Sequence, residues 1–399
     1  MNSKLLILLL LILGLRFYSF YSHQYQFKDG ERVDFQAIIL SQPQAVGSQR
    51  SFTANLKNQK IRITTDGSVE VNYGDSVRIS GKISNRGKGL LMYFPKLEVV
   101  DSSSNILQSG LGSINILREK LISLFSGTLA VPFSSLMLGI IFGIKEQMPK
   151  DFSNNLRIVG VFHVIAASGM NVTLVGGFIS AFFVMFFKRQ AAIGLSILAI
   201  IFYALLAGLE PSIVRASIMG ILVFSAQILG RQTLAVNSLF LAGFGMLFLD
   251  PSVISDVGFQ LSFSAALGIL YLKPVFGQKE GIISELLTTV AAQISTLPIL
   301  LANFGTYSIY SVLVNGLVLW TVPILMMVGG AGAILGLILM PLGQIFIYLC
   351  YPLLLYFASV VNIFGNIGGV LIVQSFPWQF AAGYYCLLVS VLLLMYKQE

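Results

Sequence analysis

Long apolar stretches follow one another from residue 129 to near the end of the chain, and this pattern constrains the fold more than any other. An apolar stretch of roughly 20 residues crosses a lipid bilayer as an α-helix. Only 11% of the 399 residues are charged, whereas soluble domains contain about 25%. The sequence therefore predicts a polytopic α-helical membrane protein. The predicted spans lie near residues 129–144, 158–187, 190–209, 213–230, 233–249, 257–272, 285–303, 308–328, 330–349, 351–373 and 378–396.

Glycine and proline interrupt several of these spans, for example at Pro298, Pro323 and Pro341. Such breaks are tolerated in a membrane where neighbouring protein or a cavity satisfies the freed backbone groups. We therefore expect some spans to be short, broken or re-entrant.

The first residues of the chain are typical of a signal sequence, because Lys4 precedes an almost pure run of Leu and Ile. Small residues that would mark a cleavage site are absent before Arg16. We interpret residues 1–20 as a retained signal-anchor transmembrane helix. Lys4 then stays inside, and the segment that follows lies outside the cytoplasm.

Residues 24–108 differ from the rest of the chain, because polar residues alternate with apolar ones such as Ile61 and Ile63. Period-two alternation is typical of half-buried strands. About five or six strands of this kind fit a small all-β domain such as an OB-fold-like barrel. We interpret Gly81 as a bulge between two of the strands.

Residues 113–127 place apolar side chains such as Leu117 and Leu121 at helical spacing beside charged ones such as Glu119. This pattern predicts an amphipathic helix that lies in the membrane interface. The alternative is a short helix that caps the barrel. Residues 129–396 then form the predicted transmembrane channel domain.

The chain is basic, with 25 Lys and Arg against 17 Asp and Glu. Cytoplasmic loops and anionic lipid explain such an excess in a membrane protein, and nucleic-acid binding is the alternative explanation. The two cysteines, Cys350 and Cys386, show no metal-ligand spacing with each other or with a histidine. No cofactor, metal site or catalytic constellation is predicted, and the protein is not predicted to be an enzyme.

Polar residues inside the apolar spans are the candidate functional groups. His163, Ser168 and Asn171 lie within the predicted span 158–187. Polar groups in hydrocarbon are costly unless paired, and they usually face the interior of a bundle or a wet pathway. The side chains either line such a pathway or make interhelical hydrogen bonds worth roughly 0.6 kcal/mol each. A Ser/His catalytic pair would lack both a Gly-x-Ser-x-Gly elbow and an acidic partner.

The other polar groups in the spans also have two interpretations each. Arg215 either extends outward to the interface or points inward, where its planar donor fork suits phosphate. Asp256 is well placed as a helix N-cap, and Asn315 is either a helix–helix hydrogen bonder or a pathway residue. The candidate pathway residues are His163, Ser168, Asn171, Arg215, Asp256, Gln260, Ser262 and Asn315.

Basic and aromatic residues occur together in the segment 24–108. Single-stranded nucleic acid needs both, since cations screen its phosphates and aromatic rings stack on its bases. The alternative is a solvated barrel face above an aromatic core. No Walker motif is present, so energy for transport must come from elsewhere. The candidate DNA-capture residues are Lys57, Lys60, Arg62, Tyr73, Arg78, Lys82, Arg86, Lys88 and Tyr93.

Three blocks of sequence together resemble the ComEC competence family, membrane proteins that take DNA into the bacterial cell. The blocks are HVIAASGMNV from His163, DVGFQLSF from Asp256 with a preceding Asp250-Pro251, and FGTYSI from Phe304 with a following Asn315. Their order and spacing match over roughly residues 110–396. The resemblance implies that one DNA strand passes through the channel domain while the other is degraded outside. It also implies an OB-like domain after an N-terminal helix.

The chain departs from the longer members of that family, which continue into a metallo-β-lactamase-like domain thought to be the nuclease. It stops at Glu399, and its two histidines, His23 and His163, cannot form a His-x-His-x-Asp-His cluster. The resemblance is therefore to a short form, and strand degradation is expected from a separate protein.

The leading hypothesis is a multi-pass channel for single-stranded DNA in the bacterial cytoplasmic membrane. The expected partners are single-stranded DNA, the lipid bilayer, a separate nuclease, a DNA receptor and a cytoplasmic motor. Two alternatives remain open: a small-solute or lipid transporter, and a non-transporting membrane scaffold whose barrel holds a partner protein.

Overall fold

The structure is a computed structural model that divides into two compact units, Asn2–Ser123 and Leu124–Glu399. It describes residues 3–396 except 24, 26, 40–43, 47–48, 57–58, 67–70, 72–74, 86–89, 100–105, 145–147, 166–168, 231–233, 278–279 and 374–375.

Among its described residues the N-terminal unit contains a helix followed by seven strands rather than the predicted five or six, and the predicted all-β region is confirmed. The strand order is β1-β5-β6-β4-β3-β2, and β7 pairs with β5. The β4–β6 pair is parallel and the other pairs are antiparallel. The elements are α1 (Ser3–Ser22), β1 (Arg32–Ile38), β2 (Gln44–Val46), β3 (Gln49–Leu56), β4 (Gln59–Asp66), β5 (Ser76–Asn85), β6 (Leu90–Tyr93) and β7 (Lys96–Val99).

The alternation in the sequence determines which face of each strand is buried. In β4, Ile61 and Ile63 are fully buried while Lys60 and Arg62 are exposed. The apolar side chains of the other strands join them in one core. The OB-fold assignment remains a prediction, and the observed order agrees with a five-stranded Greek-key barrel with one further strand at each of β2 and β7.

The interpretation of Gly81 as a bulge is wrong. Strand β5 continues through it, and Gly81 is opposite Val33 in unbroken register. A Cβ at this position would lie 2.9 Å from Sδ of Met92. Glycine is therefore required here by close packing rather than by an extra residue in the strand.

The second unit is mainly helical, and six of the helices in its described residues are long and apolar enough to cross a membrane by length and composition. The bent pair α14–α15 adds a seventh candidate. The helices are α2 (Ile106–Thr128, which crosses the boundary between the units), α3 (Phe133–Phe142), α4 (Lys150–Ile158), α5 (Phe162–Ile165), α6 (Gly169–Phe183), α7 (Arg189–Leu206), α8 (Pro211–Ile228), α9 (Ala235–Leu249), α10 (Val257–Tyr271), α11 (Ile282–Phe304), α12 (Ser311–Val318), α13 (Thr321–Ile338), α14 (Met340–Leu349), α15 (Tyr351–Ile367) and α16 (Trp378–Tyr396).

Several predicted spans have different bounds in the structure. Within the span 158–187 the described helices are α5 and α6, and the span 308–328 divides into α12 and the start of α13. A two-stranded ladder joins β8 (Thr306–Ser308), which lies almost entirely between two predicted spans, to β9 (Val370–Ile372), which lies inside the predicted span 351–373. The predicted helix 113–127 extends over 106–128 as α2, and its place in the interface remains a prediction.

Helix α11 shows how a proline break is accommodated. Pro298 lies inside the helix and has no N–H to donate to the carbonyl of Ile294. The Tyr384 hydroxyl donates to that carbonyl at 3.0 Å, and the Tyr385 hydroxyl donates to the carbonyl of Ser295 at 2.7 Å. The Ser264 hydroxyl also donates to the Ser295 carbonyl. The expectation that neighbouring protein satisfies the freed groups is confirmed at this break.

We predict that Tyr384→Phe lowers the free energy of unfolding by about 0.6–1.7 kcal/mol, the range for hydrogen bonds inside membrane proteins. In a Pro298→Ala background the same change should cost close to nothing, because the introduced alanine supplies the missing N–H to Ile294. The measurement is denaturant unfolding of the full chain in micelles, with the exposed Tyr348→Phe as the control. An equal loss in both backgrounds would contradict the capping role.

Candidate functional site

Arg215 is the main charged group between the helices of the second unit. It lies in the second turn of α8, and its Nη1 donates to the backbone carbonyl of Ser262 in α10. A Cβ built on Gly169, at the start of α6, would lie 3.4 Å from Nη2. Of the two interpretations of Arg215, the structure supports the inward one. We call Arg215, Ser262 and Gly169 the arginine centre.

The guanidinium of Arg215 is incompletely satisfied. Its Nε is buried and has no hydrogen-bond partner among the described residues. No carboxylate of the described part of the chain forms an ion pair with it. A cation held among helices with a donor unused is a site at which an anion would gain both charge and hydrogen-bond energy.

Asn171 makes an interhelical hydrogen bond. It is fully buried, and its Nδ2 donates to the carbonyl of Ile140 at 2.7 Å. The Tyr203 hydroxyl donates to the next carbonyl, that of Ile141, at 3.0 Å. Both carbonyls lie in the last turn of α3, where intrahelical donors run out. This contact is the structural alternative for Asn171, and its role in a pathway remains a prediction.

The turn before α10 is organised by two of the candidate residues. The Asp256 carboxylate accepts from the N–H of Phe259 at 3.0 Å, so the predicted N-cap is confirmed. Gln260 donates to the carbonyl of Ile254 at 2.9 Å. Ser262 contributes its backbone carbonyl to the arginine centre. Its hydroxyl takes no part in the hydrogen bonds that the described residues form at that centre. Asp256 and Gln260 thus shape the entry to the helix that holds Ser262.

A second polar centre forms around Ser311, the first residue of α12. Its Oγ accepts from Nε2 of Gln293 at 2.7 Å and from Nδ2 of Asn315 at 3.3 Å. The Tyr307 hydroxyl donates to Oε1 of Gln293 at 2.8 Å. Ser308 is also buried. A Cβ built on Gly160 would lie 2.6 Å from Oγ of Ser311 and 3.2 Å from Cβ of Ser308, so both serines pack against this glycine.

The two remaining predicted pathway residues have different outcomes. His163 lies in the short helix α5 with its side chain exposed, and its Nδ1 is 3.1 Å from the carbonyl oxygen of Gly160. His163 thus contacts Gly160, which packs against Ser311 of the second polar centre. Ser168 lies outside the described residues.

Sequence reasoning missed Gln293, Ser308 and Ser311. The signal for Gln293 was present, because an amide in the middle of the predicted span 285–303 is as unusual as Asn315 in its own span. Nothing local indicated that these residues meet Gly160, which is more than 130 residues away in the chain.

The barrel carries an exposed basic face, on which Arg78 and Lys96 are paired with carboxylates. The Arg78 guanidinium donates to the Asp34 carboxylate at 2.7 Å and holds the pKa of Asp34 below its ordinary value. Lys96 lies 2.8 Å from Glu98. Arg62 and Lys82 are exposed, and sequence reasoning missed Arg32, which is directly opposite Lys82 in the β1–β5 register.

The aromatic residues of the barrel divide between core and surface. Phe52 is buried in the core, whereas Tyr93 is 56% exposed and the adjacent Phe94 is 58% exposed. Lys60 is also on the surface. The candidates Lys57, Tyr73, Arg86 and Lys88 lie outside the described residues.

Comparison with known proteins gives a consistent family. ComE operon protein 3 of Bacillus subtilis (strain 168) is 26% identical over 234 residues, which are 58% of this chain and 30% of that protein. An uncharacterised protein of Aquifex aeolicus (strain VF5) is 30% identical over 181 residues, or 45% of this chain and 42% of that protein. The chain thus matches less than half the length of either relative. No solved structure matches.

The sequence profile of the family described as Competence protein matches residues 140–398. This range contains the arginine centre and the residues around Ser311, as well as all three blocks that carried the resemblance. The resemblance is therefore confirmed, and the chain belongs to the Competence protein family.

Proposed function

We propose that this protein is a channel that carries single-stranded DNA across the bacterial cytoplasmic membrane during transformation. Membership of the Competence protein family supports a role in DNA-uptake competence. The channel activity is our proposal for how the protein performs that role. The observation that supports it most is Arg215, an inward-facing cation with an unused donor inside a polytopic helical unit.

The chemistry of the substrate matches this group. Single-stranded DNA carries one negative charge on every nucleotide, and a guanidinium presents paired donors to phosphate oxygens. The close approach of Gly169 leaves the guanidinium without a bulky neighbour at the start of α6. A phosphate at this position would meet the positive charge, and it would reach the buried Nε only after the neighbouring side chains move.

The barrel serves, in this proposal, to capture DNA before it enters the membrane domain. Lys60, Arg62, Lys82 and Arg32 supply positive charge on the exposed strand faces, and Tyr93 supplies a ring for base stacking. Like charges directly opposite on a sheet destabilise it. The pair Arg32–Lys82 would therefore gain from a bound phosphate.

Strand degradation and driving force are assigned to other molecules. Among the described residues no group of three or more His, Cys, Asp or Glu side chains is arranged to hold a metal ion. The proposal therefore assigns no catalytic step to the part of the chain that the structure describes. A nuclease, a DNA receptor and a cytoplasmic motor are proposed as separate partners.

An anionic small solute is the second candidate substrate, because one arginine also binds one small anion. The two candidates differ at the barrel. DNA requires the exposed cations and rings of the barrel as well as the arginine centre, whereas a small solute requires only the arginine centre.

We predict that Arg215→Gln lowers transformation frequency by about tenfold or more, since losing a charge-assisted phosphate contact costs roughly 1.5–3 kcal/mol. The measurement is colony counts in a naturally competent host that carries the variant in place of the wild type. Arg189→Gln, at the exposed start of α7, is the matched control and should behave as wild type. Equal membrane levels of each variant are established by immunoblot. Normal transformation by Arg215→Gln would remove the proposal.

We predict that Arg62→Gln and Lys82→Gln each weaken binding of single-stranded DNA to the full chain in nanodiscs. Each lost contact should also reduce the slope of log affinity against log salt concentration by about 0.7. Lys96→Gln is the matched control with little expected effect, because Glu98 already pairs with Lys96.

Asp34→Asn should act in the opposite direction in the same assay. It releases Arg78, whose guanidinium is otherwise bound to the carboxylate, and so adds one available cation to the face. Affinity should rise and the salt slope should steepen by about 0.7. If Arg62→Gln, Lys82→Gln and Asp34→Asn all keep the wild-type slope, the barrel does not capture DNA.

A further inference from the structure

The second polar centre is built from oxygens. We call Gln293, Ser308, Ser311 and Asn315 the oxygen cluster. Ser311 links it, because its Oγ is 2.7 Å from Gln293 and 3.3 Å from Asn315. The four residues come from α11, β8 and α12, so the cluster exists only once these elements pack together.

Two oxygens of the cluster are buried without a donor. Oδ1 of Asn315 and Oγ of Ser308 have no hydrogen-bond partner among the described residues. Asn315 is 1% exposed and Ser308 is 7% exposed. A buried acceptor left unpaired costs about 1–3 kcal/mol, and buried polar groups in native structures rarely lack a partner.

The charge of the cluster restricts what can occupy it. All four side chains are neutral, and no group of three or more His, Cys, Asp or Glu occurs among the described residues. Divalent Ca²⁺ and Mg²⁺ usually need carboxylates. Neutral hydroxyl and amide oxygens suit an ion of single positive charge.

The C-termini of helices α4 and α15 add negative electrostatic potential near the oxygen cluster. Helix α4 ends at Ile158, and Gly160, held in the left-handed region at φ +77°, approaches Ser311 too closely to carry a side chain. Helix α15 ends at Ile367, and the carbonyl of Gly369 accepts from the N–H of Ile309 at 3.0 Å. Partial negative charge at C-termini favours cations. The positive end of α12, at Ser311, opposes these two.

Arg157 is a positively charged residue in the last turn of α4, the helix that ends beside Gly160. Its guanidinium lies over the ring of Phe162, 4.8 Å from the ring centroid, and its side chain is exposed. It therefore supplies no donor to the orphaned oxygens of Ser308 or Asn315.

We propose that the oxygen cluster binds a monovalent alkali cation, with Oδ1 of Asn315 and the hydroxyl oxygen of Ser308 as ligands. Ser311 holds Gln293 and Asn315 in place through the two hydrogen bonds that it accepts. Broken helices that present oxygens and C-terminal ends are the usual way in which membrane proteins hold such ions. The site does not depend on the proposed transport of DNA, since its ligands are separate from the arginine centre.

A buried water is the competing occupant, because water also donates to orphaned acceptors. The two differ in salt dependence. A bound cation stabilises the folded protein according to its concentration, whereas a water molecule leaves stability unchanged when one chloride salt replaces another.

The test is the melting temperature of the full chain in micelles, in NaCl, KCl or choline chloride at constant chloride concentration. We expect Na⁺ or K⁺ to raise the melting temperature by about 2 °C or more over choline. Asn315→Leu and Ser308→Ala should each abolish this difference. Ser196→Ala, which removes a buried serine of α7 that bonds its own helix, should keep it.

Binding of radioactive sodium in equilibrium dialysis gives a second reading for any variant that folds poorly. Sodium binding by the wild type and loss of that binding in Ser308→Ala would support the site. Identical melting temperatures in all three salts, or sodium uptake that persists in both variants, would overturn it. Neither result bears on transformation, so failure here is distinct from failure of the proposed channel.

Discussion

The need to satisfy backbone carbonyls inside an apolar helical unit controls much of this structure. In hydrocarbon an unpaired carbonyl costs several kcal/mol, so every helix break needs a donor from elsewhere. Tyr384, Tyr385 and Ser264 meet that need at the proline of α11. Asn171 and Tyr203 meet it at the end of α3. Polar residues in the apolar spans are thus explained first by the backbone, and only the groups that remain unexplained are candidates for function.

This criterion separates the candidate residues. Asn171, Asp256 and Gln260 each bond to a backbone group that would otherwise lack a partner. Arg215 keeps a buried Nε unused, and Asn315 keeps an unused Oδ1. The first set holds the fold together. The second set has hydrogen-bonding capacity that the described chain does not consume, and it belongs to the two centres on which the proposals rest.

Local patterns were sufficient for the elements but not for the centres. The alternation of Ile61 and Ile63 predicted strand β4, and the position of Asp256 before an apolar run predicted its N-cap, because both effects act over a few residues. The ladder between residues 306–308 and 370–372 was not predicted, since it pairs segments that are far apart in the chain. Gln293 and Gly160 meet at Ser311 only through tertiary packing, which no spacing in the sequence records.

The two centres have opposite charge preferences, and this bears on how a polyanion enters a cell. A membrane potential that is negative inside opposes entry of DNA by about 2.3 kcal/mol per charge per 100 mV. In the proposed channel, Arg215 would offset part of that cost at one point by its fixed positive charge. The cation proposed at Ser308 and Asn315 would add a second positive charge that is exchangeable. Gly160 and Gly169, only nine residues apart in the chain, contact the two centres in turn. The segment between them therefore joins a site suited to phosphate with one suited to its counterion.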